Sequence, residues 1–331
     1  PLHRATILRP FARYLADLGA PVERGFQRAG LPCSALDNLH CFVPSQRFWT
    51  FVGDMARNEG IEDLGFRVGR TYGADCADPN LTRLLRRSPT LYDGLMQASA
   101  FVEGATSRNH IGLVLPPLGG QAHFFHQPSF GPRNSNYDQI NWFGLTAAIG
   151  MVRVYLGPEW QPGEIGLSTH HAPCRAIREQ LPDTRILPSQ AYNYIAIENE
   201  MLSRPPLIHD NATPIVSPDN YDTAAADFAC SLRQVLQTYI RESDLSIEFA
   251  ADLCNISKRS LQRRLSEAGT RYSEVLDRSR FAAASELLQD PEMNVTDVAH
   301  QLGYSDSAHF SRAFRRIAGV NPRAYRRAYS H

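Results

Sequence analysis

The residues of this sequence whose types and spacing best suit a chemical task lie in a short basic stretch near the C-terminal end. Lys258, Arg259, Gln262, Arg263 and Arg264 cluster on a predicted helix that runs from Lys258 to about Ala268. Arginine can bond bidentately to guanine and glutamine to adenine, and the major groove of DNA, about 12 Å wide, admits one α-helix. The stretch therefore predicts a helix that reads the base sequence of double-stranded DNA.

The elements around this basic cluster predict a helix-turn-helix unit. Ser246 can cap a short helix that ends near Cys254, and Asn255 can take the left-handed backbone conformation that a tight corner needs. Ser257 can then cap the helix that carries the basic cluster, and Gly269 can end it.

The same plan recurs about 48 to 50 residues later. A short helix begins at Val295, Gly303 stands at the corner, and a second long helix runs from Asp306 to about Ile317. Between the two copies, Tyr272–Leu288 is predicted as one amphipathic helix. Two units at the ends of a connecting helix suit successive major grooves about 34 Å apart. The repeat is a stronger sign of DNA binding than a single copy, which occurs by chance in many all-helical proteins.

The two copies differ in their polar residues. Ser307, His309 and Arg312 of the second copy can bond phosphates or bases, whereas Asp306 at its N-terminus would face phosphate unfavourably. We therefore expect the first copy to specify the DNA sequence and the second mainly to position the protein on the duplex.

A change in composition divides the chain of 331 residues. The net charge of the whole sequence is zero, yet residues 231–331 carry a net charge of +3. Four prolines, with several Asn, Asp and Ser residues, break every periodic pattern between 203 and 222. We predict an α+β N-terminal domain over 1–205, a linker over 206–222, and an all-α DNA-binding domain with two helix-turn-helix units over 223–331.

Within the N-terminal domain, alternating and apolar stretches predict a few strands and one buried helix. A hairpin is expected from His110–Leu115 and Gln121–Phe125, joined by a turn of small residues. Further short strands are expected at Glu164–Ser168 and Tyr194–Ile197, and a buried helix at Trp142–Leu156.

The sequence also indicates the compartment. No stretch approaches ~18 consecutive apolar residues, so we expect no membrane span, and the first residues do not lead into an apolar signal core. None of the six cysteines stands in a C-x-x-C pair, which favours reduced thiols. These features predict a cytoplasmic protein.

Residues 225–329 resemble the DNA-binding domain of the AraC/XylS family of bacterial transcription regulators. The resemblance is carried by Asp297-Val-Ala-His-Gln-Leu-Gly-Tyr-Ser-Asp-Ser-Ala-His-Phe-Ser-Arg-Ala-Phe-Arg-Arg316, followed by Gly319-Val-Asn-Pro-Arg-Ala-Tyr-Arg326, and by Ser257-Lys-Arg-Ser-Leu-Gln-Arg-Arg-Leu265. It implies base contacts from Arg259, Gln262 and Arg263 of the first unit. For the second unit it implies contacts around Ser307, Ala308, His309 and Arg312, although alanine offers no side-chain hydrogen bond.

Residues 1–205 look like the N-terminal domain of one branch of the family, often called arabinose-binding-like. The matching pieces are Ala29-Gly-Leu-Pro32, Leu64-Gly-Phe-Arg-Val-Gly69, Ser88-Pro-Thr-Leu91 and Leu156-Gly-Pro-Glu-Trp160. The resemblance implies that this domain senses an unknown small-molecule effector and forms a homodimer. It also implies RNA polymerase as a partner, with activation of transcription as the expected outcome. It implies no cofactor.

An aromatic-rich segment in the middle of the N-terminal domain is the expected effector pocket, with core packing as the alternative. The pocket residues are expected among Phe124, Phe125, His126 and Trp142. Between residues 123 and 143 the only formal charges are Arg133 and Asp138, so a highly charged effector would find few partners. Ligand pockets are mostly apolar with a few polar groups, and we therefore expect a small, largely apolar effector.

Other chemistry finds little support in the sequence. His123-x-x-His126 and the pair His170-His171 lack cysteine or carboxylate partners at a fixed spacing, so no metal site is expected. No motif of a hydrolase or a phosphate-binding loop is present, and we expect no catalytic residues and no enzymatic activity.

Two alternative functions stay open at this stage. The first is a regulator that acts mainly by sequestering a protein partner, with weak contact to DNA. The second and more remote is a DNA-repair alkyltransferase, which needs a cluster of closely spaced cysteines; the nearest pair in this sequence is Cys33 and Cys41.

Overall fold

The computed structural model of the chain describes residues 1–38, 41–76, 78–116, 120–210, 227–241, 245–290 and 292–329. Contacts divide the described residues into two compact units. Unit 1 draws its residues from Pro1, His3–His40 and Ser45–Ala224; unit 2 draws them from Leu2, Cys41–Pro44 and Ala225–His331. Most of the predicted linker, from residue 211 onward, lies outside the described residues, and the predicted domain limits stay a prediction.

Unit 1 mixes helices and strands, as predicted. Its α-helices are α1 (Leu8–Asp17), α2 (Val22–Ala29), α3 (Ser45–Asn58), α4 (Leu64–Tyr72), α5 (Pro79–Arg87), α6 (Leu91–Ala105), α7 (Tyr137–Leu156) and α8 (Arg175–Gln180). The contact division assigns Leu2 of the short strand β1 (Leu2–Arg4), and all of the short strand β2 (Phe42–Pro44), to unit 2. The predicted buried helix at Trp142–Leu156 is confirmed as the C-terminal three-quarters of α7.

The main sheet of unit 1 has five strands in the order β3-β4-β7-β5-β6. The strands are β3 (His110–Val114), β4 (Ala122–Gln127), β5 (Glu164–Gly166), β6 (Arg185–Leu187) and β7 (Asn193–Ile197). The predicted hairpin is confirmed: β3 and β4 are antiparallel, with Gly112 opposite Phe125. β7 runs antiparallel to both β4 and β5, while β5 and β6 are parallel. The pattern of the sequence did not reveal β6, which has only three residues.

Helix α7 forms the centre of unit 1. Most of its side chains are buried, and it packs against α4 and against β4 and β7. Glycines permit the close approach of the helices, because a Cβ at Gly65 of α4 would overlap the carbonyl oxygen of Gln139, and a Cβ at Gly150 would lie against the backbone of Gly73. Gly65 belongs to one of the segments that carry the family resemblance, and its role is to let two helix backbones meet.

Unit 2 is helical apart from its short strand segment. Its helices are α9 (Phe228–Tyr239), α10 (Ile247–Leu253), α11 (Lys258–Glu267), α12 (Tyr272–Leu287), α13 (Val295–Gln301), α14 (Ser307–Ala318) and α15 (Pro322–Tyr329). These bounds confirm both predicted helix-turn-helix units and the connecting helix between them. α9 packs against α12 and against β2, where the Thr238 hydroxyl donates to the Phe42 carbonyl oxygen at 2.6 Å. Nothing in the local sequence pattern indicates that residues 41–44 join the C-terminal helices.

None of the helices in the described ranges is long and apolar enough to cross a membrane.

Candidate DNA-binding surface and effector cavity

The corner of the first helix-turn-helix unit is built by short-range backbone chemistry. The Ser246 hydroxyl accepts from the Phe249 amide at 3.1 Å and caps α10, and the Ser257 hydroxyl accepts from the Ser260 amide at 3.2 Å and caps α11. Between the helices, Asn255 has a φ of 52°, the left-handed conformation predicted for it. α11 is therefore held at a fixed angle to α10 by its caps and its corner.

The inner face of α11 anchors it and leaves its outer face in solvent. Leu261 and Leu265 are 0% and 1% exposed and pack into the core of unit 2. The basic side chains of the helix and its glutamine are exposed, and they are Lys258, Arg259, Gln262, Arg263 and Arg264. The structure thus brings the four predicted DNA-binding residues of the first unit together on one accessible helix.

Two of these cations hold acidic partners in the free protein. Lys258 Nζ lies 2.6 Å from Glu248 Oε1, and this hydrogen bond keeps the pKa of Glu248 below its ordinary value. Arg263 Nη1 lies 3.6 Å from Glu267 Oε1. Exposed pairs of this kind contribute little to stability, because solvent screens them. Because they are weak, both cations can exchange their carboxylate partners for phosphates or bases.

The second helix-turn-helix unit has the same corner but a different cap. Gly303 has a φ of 74° where the first unit has Asn255. Asp306 caps α14, and its Oδ1 accepts from the His309 amide at 2.6 Å. This backbone hydrogen bond lowers the pKa of Asp306. The acidic residue that the sequence places at the start of this helix therefore stabilises the helix end as an ionised cap.

The predicted contact residues of the second unit lie on the first two turns of α14. Ala308, His309 and Arg312 are exposed, and Ser307 is half-buried. The imidazole of His309 meets the ring of Tyr304 edge-on, with 5.4 Å between ring centroids. This surface has one cation in two turns, next to the carboxylate of Asp306, so it offers phosphate a weaker electrostatic attraction than α11 does.

An aromatic cluster holds α14 in place. Phe310 and Phe314 are each 2% exposed, with ring centroids 5.7 Å apart. Phe314 also lies 5.0 Å from Phe281 of α12 and 5.2 Å from Tyr325 of α15. Arg280 of α12 lies 5.0 Å above the ring of Tyr304 at the corner. The second unit therefore depends more on aromatic packing than the first, where leucines fill the equivalent positions.

Unit 1 contains a cavity of about 70 Å³. Its walls come from β1, α3, α6, α7, β3 and β4, together with Ile7, the chain between α6 and β3, and the chain after β4. One face of α7 supplies six of the lining residues, spaced as a helix requires: Ile140, Phe143, Gly144, Ala147, Ala148 and Met151. Phe124 and His126 line it from β4, His3 from β1 and Trp49 from α3. None of the lining residues that the structure describes is Asp, Glu, Lys or Arg.

Three residues that line the cavity contain buried polar atoms without a hydrogen-bond partner. The atoms are Trp49 Nε1, Asn109 Oδ1 and His126 Nδ1. Leaving such a group unpaired costs about 1–3 kcal/mol, so each of these atoms retains the capacity to bond a polar group of a ligand. Gly144 makes room for the imidazole, since a Cβ there would overlap the His126 ring.

Burial keeps both histidines of the cavity neutral. It lowers the pKa of His126 to about 4, and it is the largest cause that lowers the pKa of His3 to about 3. His3 Nδ1 lies 2.6 Å from the Ser45 hydroxyl oxygen at the start of α3. The cavity therefore presents no formal charge at neutral pH.

The four residues expected in the effector pocket do not all meet there. Phe124, Phe125 and His126 line the cavity, but Trp142 is outside its lining. The Trp142 ring packs against Phe66 of α4, with 5.8 Å between centroids, and is 5% exposed. It points away because it is two positions, about 200° of helical rotation, from Ile140 and Gly144 on α7.

Sequence reasoning missed Trp49, Asn109 and His3 as cavity residues. They are far from residues 124–126 in sequence, and only the fold brings them close. A signal for the α7 side did exist, because Ile140, Phe143 and Ala147 follow the i, i+3, i+7 spacing of one helix face.

Two of the histidines considered as metal ligands, His123 and His170, make local contacts. The His123 ring stacks on Tyr194 with centroids 3.9 Å apart, and its Nδ1 lies 3.1 Å from the Tyr192 hydroxyl. His170 Nδ1 lies 2.8 Å from the Ser189 hydroxyl. In the part of the chain that the structure describes, no group of three or more His, Cys, Asp or Glu side chains could hold a metal ion. The cysteine cluster that an alkyltransferase needs is likewise missing from the described residues.

A pair of helix-turn-helix units on one connecting helix, in a chain that also carries an α+β unit, defines a DNA-binding transcription regulator. Comparison with known families agrees. Residues 250–328 match a helix-turn-helix domain, and residues 19–206 match the N-terminal arabinose-binding domain of AraC transcription regulators. The chain belongs to the AraC family of transcription regulators.

Individual relatives extend the same result. The chain is 24% identical over 335 residues to the HTH-type transcriptional regulator VirS of Mycobacterium tuberculosis, covering 98% of this chain and 96% of VirS. It is 38% identical over 84 residues to the HTH-type transcriptional activator RhaS of Enterobacter sp., covering 25% of this chain and 30% of RhaS. Among solved structures, the transcriptional regulator CdpR of Pseudomonas aeruginosa matches with a TM-score of 0.45 at 20% identity, covering 97% of this chain and 98% of CdpR.

Proposed function

We propose that this AraC-family regulator is a cytoplasmic homodimer that activates transcription in response to a small effector, without catalysing a reaction. The DNA-binding part of the proposal rests on the exposed basic face of α11, a helix that follows the turn at Asn255. Arg259, Gln262 and Arg263 supply the side chains that recognise guanine and adenine in the major groove. α14, with its acidic cap, mainly fixes the register of the protein on the duplex.

Selection of binding sites from random DNA tests this assignment. Arg259→Ala and Gln262→Ala should each relax the preference at one base position while the rest of the selected motif persists. Arg175→Ala is a matched control, because Arg175 is an exposed arginine of unit 1, paired with Glu179. Loss of all sequence preference in the control, or an unchanged motif in both α11 variants, would contradict the proposal. The salt concentration must be held constant, because phosphate contacts make affinity salt-dependent.

We propose that residues 1–205 form the dimer and that RNA polymerase is the partner in activation. A dimer places two copies of unit 2 on two half-sites, and linkage raises the affinity through effective concentration. RhaS, similar over the DNA-binding part, is named an activator. Sedimentation of the full-length protein at tens of micromolar should give a dimer, and residues 220–331 alone should sediment as a monomer. A monomeric full chain or a dimeric fragment would contradict this arrangement.

We propose that the cavity of unit 1 is the effector site. Its apolar walls and its few unpaired polar atoms match the composition of small-molecule sites. Ala147→Leu should fill the space from the α7 side and abolish the response of a regulated promoter to the effector, while the affinity for DNA without effector stays the same. Ala16→Leu on the exposed surface of α1 is the matched control. An unaltered effector response in Ala147→Leu would place the effector elsewhere.

A further inference from the structure

We propose that the cavity of unit 1 takes an uncharged aromatic molecule with a hydroxyl group, of the phenol class. This inference rests on the proposed role of the cavity as the effector site and adds the chemistry of its ligand. The observations behind it are the identity of the unpaired polar atoms, the lack of charge in the walls, and the aromatic rings that surround them.

The unpaired polar atoms would be satisfied by a ligand group that both accepts and donates hydrogen bonds. The indole N–H of Trp49 can only donate, so it needs an acceptor on the ligand. The amide oxygen of Asn109 can only accept, so it needs a donor. A neutral imidazole such as that of His126 can serve in either role at Nδ1. A hydroxyl oxygen accepts and its proton donates, and so one small group can serve both kinds of partner.

The walls exclude ionised ligands. No carboxylate, ammonium or guanidinium group is among the described lining residues, and an ion moved there would lose its hydration without gaining an opposite charge. His3 and His126 stay neutral at pH 7 for the same reason. A carboxylic acid, ionised at this pH, is therefore a poor ligand, whereas a phenol with an ordinary pKa near 10 stays uncharged.

The apolar part of the walls favours a ring. Trp49, Phe124 and Phe143 are all nearly fully buried and line the space, and Trp49 and Phe143 already meet at 5.9 Å between centroids. A further aromatic ring can join such a cluster edge-on. A sugar, which has a hydroxyl on nearly every carbon, would bury several hydroxyl groups against apolar walls. The arabinose-binding description of the matching family therefore does not fit the chemistry of this cavity.

The small size of the cavity implies that its lining residues move when a ligand binds. At about 70 Å³ it is smaller than the ~150 Å³ apolar cavity that holds benzene in another protein. The lining must therefore move to admit a ring. Several lining residues are only half-buried, among them Phe125, Pro128 and Ser129 at the end of β4 and just after it. Binding of the ligand is thus coupled to a shift of the lining.

Thermal unfolding and calorimetry of the full-length protein test the proposal with four probes: phenol, toluene, benzoate and L-arabinose. Phenol should bind and raise the melting temperature with its concentration. Toluene keeps the ring without the hydroxyl and should bind at least tenfold more weakly. Benzoate and L-arabinose should give no shift at the concentrations at which phenol does. Equal binding of toluene and phenol, or preferential binding of benzoate or L-arabinose, would overturn the proposal.

A pair of tryptophan variants locates the binding. Trp49→Phe removes the indole N–H and keeps an aromatic ring, and it should weaken phenol binding at least tenfold while toluene binding changes little. Trp142→Phe makes the same change in a buried tryptophan outside the cavity and should leave phenol binding unaltered. If Trp49→Phe itself is unstable, Asn109→Ala, at a half-buried position, gives a second measurement of the same hydroxyl contact. Equal effects of Trp49→Phe and Trp142→Phe on phenol binding would overturn the proposal.

The ligand class and the site can fail separately. If the phenol series does not bind, yet Ala147→Leu abolishes the response to an effector found by promoter screening, the phenol class is wrong and the cavity remains the effector site. If Ala147→Leu leaves that response intact, the proposed effector site is itself wrong.

Discussion

The two helix-turn-helix units share one backbone plan and present different surfaces to DNA. Both have a residue of positive φ at the corner and a side-chain cap at each helix start. In α11 four basic residues occupy the first seven positions behind a neutral serine cap, whereas α14 begins behind ionised Asp306 and has two of its three arginines in the last turn. The corner, the caps and a few buried side chains specify the backbone of each unit. The exposed residues of α11 and α14 can therefore differ, and we expect α11 to contact bases and α14 to position the protein.

The largest effect is expected from removing the buried anchor of each unit. Phe310→Ala should cost about 3–5 kcal/mol and Leu261→Ala about 2–5 kcal/mol, with the loss confined to the unit concerned. Phe310 packs on Tyr304 and Phe314, with centroids 5.4 and 5.7 Å away, so the second unit should lose more. Hydrogen exchange of the full chain, resolved by peptide, measures each unit separately. Ile317→Ala, at a residue 38% exposed, is the control and should change little.

The second largest effect is expected on DNA affinity, and it distinguishes recognition of bases by α11 from positioning on the duplex by α14. Arg263→Ala should lose about 1–3 kcal/mol of specific binding and relax the preference at one base position. Arg312→Ala, at the matching position of α14, should weaken binding to all sequences and flatten its salt dependence. Binding titrations on specific and random duplexes at several salt concentrations measure both. The expected division of roles between the two units is wrong if Arg312→Ala relaxes a base preference and Arg263→Ala does not.

The two corner residues should respond to small substitutions by different amounts. Gly303→Ala places a Cβ on a left-handed residue, which costs about 1–2 kcal/mol. Asn255→Gly keeps that conformation accessible and should change the unfolding free energy by only a few tenths of a kcal/mol. Chemical denaturation of the full chain, followed by hydrogen exchange in each unit, measures both. A larger loss in Asn255→Gly would show that the Asn255 side chain does more than tolerate the corner.

The smallest effect is expected from exchanging the caps. Asp306→Ser and Ser257→Asp retain a capping oxygen, so helix stability should change little. The exchanged charge should strengthen DNA binding slightly in Asp306→Ser and weaken it slightly in Ser257→Asp. Titrations at low salt reveal the difference, which should shrink as salt is added. If neither exchange alters affinity, the caps do not cause the difference between the units.

The C-terminal half could be predicted closely because its signals are local. Capping residues precede each helix of both units, and the corner at Asn255 follows from a single side chain that tolerates positive φ. The exposed side of α11 follows from the spacing of Leu261 and Leu265, since buried positions define the opposite face.

The cavity could be predicted only in part, because its residues meet through contacts distant in sequence. Phe124 and His126 share a face of one strand and were found together, whereas Trp49 and Asn109 enter from α3 and the turn after α6. Trp142 lies outside the cavity lining because its helical phase on α7, which aromatic content alone does not reveal, directs it toward Phe66. The packing of β2 on α9, with Phe42 bonded to Thr238, spans 196 residues and leaves no trace in a local pattern.

Lys258 is the only lysine in the sequence, which otherwise contains 33 arginines, and it lies exposed at the first turn of α11. Reagents that acylate side-chain amines therefore have one target of this kind, at the edge of the DNA-binding face. A fluorophore attached there would report the arrival of DNA without any engineered cysteine. Acetylation at the same position would remove one cation from α11 and release Glu248 from its ion pair, so a single covalent change adds net negative charge where the duplex docks.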